Sequence, residues 1–184
     1  MNISKAISRS TQDIVKSLAV WVAAIIGICI PLLGWFTLLA WAIGYFADCV
    51  KEKNKVPEFN FGGQYVIGLK AMLIALVYLI IISIIGGAII IIAILVDGLI
   101  GTGTLLSTLS MPVISLIAFI IGLNGWLGIL KFFNTRKLGD GISILIGSLA
   151  NIENILIYIV GGIISCIPII GPMAGATILG EYKF

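Results

Sequence analysis

Cys29-Ile30-Pro31-Leu32-Leu33-Gly34 and Cys166-Ile167-Pro168-Ile169-Ile170-Gly171 share one pattern: Cys-Ile-Pro, two large aliphatic residues, then Gly. Each copy sits inside a long uncharged apolar block, where a helix would otherwise run without interruption. Proline removes a backbone donor and disfavours helix at the residue before it, and the glycine weakens the next turn. Both blocks are therefore expected to break here. Pro31, Gly34, Pro168, Gly171 and the following Pro172 are the candidate structural or functional helix breaks.

Length supports the same reading. As one helix, Ser17 to Ala47 would measure about 46 Å against a hydrocarbon core of about 30 Å. A straight span would need a tilt of about 50°, beyond the usual range. Splitting the block gives arms at 17–30 and 35–47, and the last block, Asn154 to Gly180, is expected to break at Pro168 and Pro172. Pairing Cys29 with Cys166 also pairs Leu18 with Ile155, Trp21 with Tyr158 and Ile26 with Ile163. Gly44-Tyr45 and Gly180-Glu181-Tyr182 follow the breaks at nearly equal distances, which fits an internal repeat.

Composition says what surrounds these blocks. The 184-residue chain is 60% hydrophobic and 10% charged, with mean hydropathy +1.22, whereas soluble domains carry about 25% charged residues. Four charge-free intervals, Lys16–Asp48, Lys70–Asp97, Asp97–Lys131 and Glu153–Glu181, each exceed the roughly 18 to 20 residues that cross a bilayer. Runs such as Leu79 to Ile92 would read as buried strand in water. In lipid, the backbone must satisfy its own polar groups and becomes helical; a β-barrel would need alternating polarity, which is absent. The expectation is an all-α integral membrane bundle in one domain, 1–184, and the first apolar block, far longer than a signal h-region, is expected to stay in the membrane.

Between the broken blocks, two central spanning helices are expected at about Tyr65–Val96 and Met111–Phe133. A Gly/Ser/Thr-rich turn or re-entrant link at Asp97–Ser110 joins them. Residues 1–16 place Ile3, Ile7, Ile14 and Leu18 on one stripe and Lys5, Arg9, Asp13 and Lys16 off it, as in a helix lying at an interface. Residues 48–64 form the one substantial polar loop. If each of the four blocks crosses once, the eleven basic residues divide four against seven; if the outer blocks are hairpins, all eleven fall on one side with Asp97 alone on the other. The positive-inside rule thus favours six apolar segments in a multi-pass cell-membrane protein with both termini cytoplasmic.

The candidate chemistry is sparse. With no His, three Cys and a net charge of +3, the chain offers no nucleophile with a base, no paired carboxylates and no metal-ligand spacing. No catalytic, metal or cofactor residues are expected, and no basic cluster interleaved with aromatics points to nucleic acid. Polar groups in apolar surroundings are the default candidates in a membrane protein. Asn124, flanked by Gly122 and Gly125, and Glu153, opening the last block, are the two strongest. Each also has a structural reading: an interhelical hydrogen bond for Asn124 and a helix N-terminal charge for Glu153.

Gly44-Tyr45-Phe46-Ala47-Asp48-Cys49-Val50-Lys51, Val56-Pro57-Glu58-Phe59-Asn60-Phe61 and Gly68-Leu69-Lys70 together resemble the DUF4013 family of archaeal and bacterial membrane proteins. Ile170-Gly171-Pro172 through Gly180-Glu181-Tyr182 is similar to that family's terminal segment. Val56 stands where Leu is usual and Phe59 where Trp is commoner. The resemblance implies a helical membrane bundle of unknown function and brings no ligand or catalytic residue with it. Two classes stay open. One is a structural, assembly or membrane-organising protein whose partners are the bilayer and other copies or membrane subunits. The other is a transporter or channel for a small solute, ion or lipid that uses the breaks at Pro31 and Pro168.

Overall fold

The computed structural model describes residues 3–30, 34–52, 55–101, 103–143, 151–165, 167 and 171–184. These are all-α, with no strand among the described residues. Pro31 and Pro168 lie outside them. Helix α1 is Ile3–Gln12 and α2 Ile14–Cys29; a π-helical turn, Trp35–Leu39, leads into α3, Ala40–Lys51. Two long helices follow, α4 (Phe61–Ile100) and α5 (Leu105–Thr135), then a short α6 (Leu138–Ile142), α7 (Ile152–Ser165) and α8 (Gly171–Leu179).

The chain doubles back on either side of both hexapeptides. A Cβ on Gly27 of α2 would stand 2.8 Å from the Leu39 nitrogen, and one on Gly34 would stand 2.6 Å from the Gly27 carbonyl oxygen. Likewise a Cβ on Gly161 of α7 would stand 2.7 Å from Leu179 Cγ of α8, and Gly175 lies against Ser165. Small residues let two backbones approach where a side chain would hold them apart. Pro172 is the second residue of α8; there its missing N–H has no intrahelical partner to lose, so it opens a helix instead of interrupting one.

Several boundaries differ from expectation for local reasons. Asp48 to Lys51 belong to α3, and α4 starts at Phe61 instead of Tyr65, so the 48–64 loop shrinks to 52–60. The cause at α4 is Asn60, whose side chain accepts from Gly63 N at 3.1 Å, a side-chain cap on an otherwise unsatisfied donor. The link expected at Asp97–Ser110 is mostly helix. Helix α4 continues to Ile100 and ends on Gly101 at φ +74°, a left-handed conformation that glycine adopts without steric cost. Asp97 then accepts from Leu106 N at 2.9 Å and Ser107 N at 2.8 Å, starting α5 six residues before Met111.

The core lies at one end. Helix α3 packs on the first turns of α4 with Gly44 against the Gln64 backbone and Gly68 against the Ala40 carbonyl. Ala40, Ala47 and Ala71 continue this small-residue contact in full burial. Tyr45, Ile74, Leu130, Phe132, Phe133 and Leu179 fill the space around it. Beyond Tyr78 the α4–α5 pair runs on uncovered: between Leu79 and Leu123 only Gly86 and Asp97 are buried among the described residues. Helices α4 and α5 are both long and apolar enough to cross a membrane, and only 6% of the most apolar window of α4 is buried.

Candidate functional site

Nearly all the polar architecture gathers at the packed end. Arg9, read from sequence as part of an outward polar face, is instead buried, with 4% of its surface exposed. Its Nη1 donates to the Cys49 carbonyl at 3.0 Å and to Thr177 Oγ1 at 2.7 Å, and its Nη2 donates to the Lys55 carbonyl. One guanidinium therefore ties α1 to α3, α8 and the 52–60 loop. Burial lowers its pKa from the usual arginine value, with Cys49, Tyr45 and Glu52 opposing; arginine stays charged regardless. Meanwhile Ile3 and Ile7, on the expected apolar stripe, face outward.

Gln64 is a second hub, also missed from sequence because it ends a polar run. Its Oε1 accepts from Trp41 Nε1 at 3.0 Å and Asn60 N at 3.2 Å; its Nε2 donates to Asp48 Oδ2 at 3.1 Å and the Glu58 carbonyl at 2.8 Å. A buried amide satisfied at both ends fixes the loop, its hydrogen bonds offsetting the cost of leaving water. Asp48 also pairs with Arg136 Nη2 at 2.6 Å. Arg136 caps α5 at φ 61°, a left-handed backbone that costs a residue with a Cβ about 1–2 kcal/mol. The ion pair holds it there, while burial lowers the guanidinium pKa against the opposing pull of Asp48.

Around this pair opens a polar cleft of about 330 Å³, lined by Asp48, Lys51 and Glu52 of the α3 end, Ile67 and Lys70 of α4, and Phe132 and Arg136 of the α5 end. A larger cavity of about 740 Å³ lies among α2, α3, α4, α5 and α7. Its wall is almost wholly apolar, including Trp21, Ile28, Phe46, Ala75 and Phe133, with Ser165 the lone hydroxyl. Such a surface suits hydrocarbon and offers a polar solute almost nothing to bind.

The candidates read from sequence fall in different places. Asn124 donates to the Tyr78 hydroxyl at 3.0 Å, and Tyr78 OH donates to the Ser143 carbonyl at 3.4 Å; these bonds couple α4, α5 and the end of α6. Glu153 accepts from Lys183 Nζ at 2.8 Å on the surface and raises the Lys183 pKa. Next to it, Asn154 exchanges two hydrogen bonds with the Lys183 backbone, at 2.6 and 3.1 Å, fastening the C-terminus to α7. Gly34 is buried at the close approach to Gly27, and Gly171 opens α8. None of these residues lines either cavity.

No curated protein and no solved structure matches the chain. The model of one family, described as a protein of unknown function (DUF4013), matches residues 10–180. That match covers nearly the whole sequence, including both hexapeptides, the Arg136 cap and the hubs at Asp48 and Gln64, and the chain therefore belongs to the DUF4013 family.

Proposed function

We propose that this is a multi-pass membrane protein with a membrane-organising, non-catalytic role, acting as a wedge in one leaflet. The observation that carries the reading is the uneven reach of its helices. At 1.5 Å per residue the 16 residues of α2 and 14 of α7 extend about 24 and 21 Å, short of the roughly 30 Å hydrocarbon core. The 40 residues of α4 extend about 60 Å. The Gly44–Gln64 and Gly68–Ala40 contacts run α3 antiparallel to the start of α4, so Gly34, six residues before Ala40, reaches only about the level of Ile74.

In this reading, six helical segments displace lipid in the leaflet nearest the charged end and two displace it in the other. The charged end sits at the cytoplasmic surface, with α1 resting Ile3 and Ile7 on the headgroups. Exposure of α4 supports the membrane assignment, because the core helix of a soluble protein of similar apolarity would be buried. The apolar wall of the larger cavity weighs against a conduit for ions or polar solutes.

The test is reconstitution into giant vesicles from which narrow tubules are drawn. Enrichment of labelled protein in the tubule over the flat membrane is expected. Equal density in both would refute the wedge, and flux of a small solute into sealed vesicles, lost in Pro31→Leu or Pro168→Leu, would establish the transport class in its place.

A further inference from the structure

We propose that the polar cleft and the apolar cavity form one binding site for a single anionic phospholipid, resting on the membrane reading above. The two spaces are neighbours in the same three helices. Lys70 lines the cleft and Ala71 the cavity; Phe132 lines the cleft and Phe133 the cavity; Phe46, two residues before Asp48, meets Phe133 with ring centroids 6.2 Å apart. Each helix also sets them in the same order. Residues 39–46 of the α3 arm, 71–75 of α4 and 126–133 of α5 contribute the apolar wall, and 48–52, 67–70 and 132–136 contribute the polar mouth nearer the charged end. Head outside and tail inside is the order of a lipid entering from that leaflet.

The charge in the mouth favours an anion. Three cations, Lys51, Lys70 and Arg136, face two carboxylates, Asp48 and Glu52. Asp48 is neutralised by Arg136, and neither Lys51 nor Lys70 is held in an ion pair among the described residues. Arg136 adds its charge to the mouth from the α5 end, its Nη2 turned to Asp48. A phosphate can take charge-assisted hydrogen bonds from the two ammonium groups. A zwitterionic headgroup would bring a second cation into a cleft already positive. The cavity is reached from the side, since Ile25 and Ile28 of α2 and Trp126 of α5 on its wall are exposed at 46, 61 and 38%.

The full chain is first floated with vesicles, which tests the membrane reading alone. Native mass spectrometry then follows lipid retained on protein extracted from vesicles of phosphatidylcholine with a minor share of phosphatidylglycerol. Preference for phosphatidylglycerol on the order of tenfold is expected, from two lysines near a membrane surface. Lys51→Gln combined with Lys70→Gln should abolish the preference while leaving the melting temperature in lipid-free detergent unchanged. Ala75→Phe, which fills the cavity, should reduce retention of both lipids. Equal retention of the two lipids by the parent protein, or an undiminished preference in the double variant, would overturn the proposal for a protein that floats. Stabilisation by glycerol phosphate equal to that by the intact lipid would also overturn it, as a plain anion site.

Discussion

Arg9 shows how much of this molecule rests on single side chains. Arg9→Met keeps much of the apolar stem but strands the Cys49 carbonyl and Thr177 Oγ1, and unsatisfied buried acceptors of this kind cost about 1–3 kcal/mol each. The expected loss is about 2–4 kcal/mol, read as a lower melting temperature in detergent. Arg9→Lys should recover only part of it, because one ammonium cannot span acceptors on three elements. Asp97 makes a smaller, separable contribution: Asp97→Ala removes the cap on Leu106 and Ser107 and should cost about 1–2 kcal/mol, fraying the first turn of α5 in amide exchange. Neither role was legible in the sequence. Arg9 recurs at helical spacing with other charges and reads as solvated, and its partners are mostly backbone atoms 40 or more residues away, which no local pattern reports.

Elements were more legible, wherever the backbone itself imposed the outcome. Proline cannot donate, so breaks at residues 31 and 168 were expected without knowledge of their neighbours; both prolines lie outside the described residues, and the described helices on either side fold back on one another. Boundaries set by side-chain caps, at Asn60 and Asp97, were displaced by four to six residues because a cap is a geometric event, not a compositional one. The α3–α4 contact gives the sharpest prediction at this scale. Gly68→Ala drives a Cβ into the Ala40 carbonyl and should cost about 3 kcal/mol, whereas Gly87→Ala, in open space within the same helix, should gain about 0.5–1 kcal/mol. Thermal melts of the two variants side by side check both signs. The cleft and cavity were not legible, since they join residues from five helices that share no motif.

At the scale of the whole molecule, the segregation of charge predicts which surfaces face which compartment. Cysteines placed at Lys55 and Lys183 in a cysteine-free background should react with an impermeant maleimide from the same side, and one at Thr104 from the other. Reaction of Lys55→Cys and Lys183→Cys from opposite sides would refute the hairpin arrangement. The count of basic residues had already favoured this layout, and ion pairs and hydrogen bonds hold Arg9, Lys16, Arg136 and Lys183 at the packed end, away from Asp97.

The carboxylate of Asp97, which caps the start of α5 at the far turn, has a consequence for how the chain would enter a membrane. In the proposed orientation it is the one formal charge between Lys70 and Lys131, so assembly translocates a single anion and leaves every cation behind. An inside-negative potential does work on that anion in the outward direction, about 2.3 kcal/mol per 100 mV, comparable to the roughly 2.5–3.5 kcal/mol that a buried charge costs an inserting helix. In that orientation, insertion of the α4–α5 pair would be coupled to the energised state of the cell. Collapse of the potential with an ionophore should slow it, and Asp97→Lys should reverse the sign of that dependence, with the proton-motive force opposing the step it had assisted.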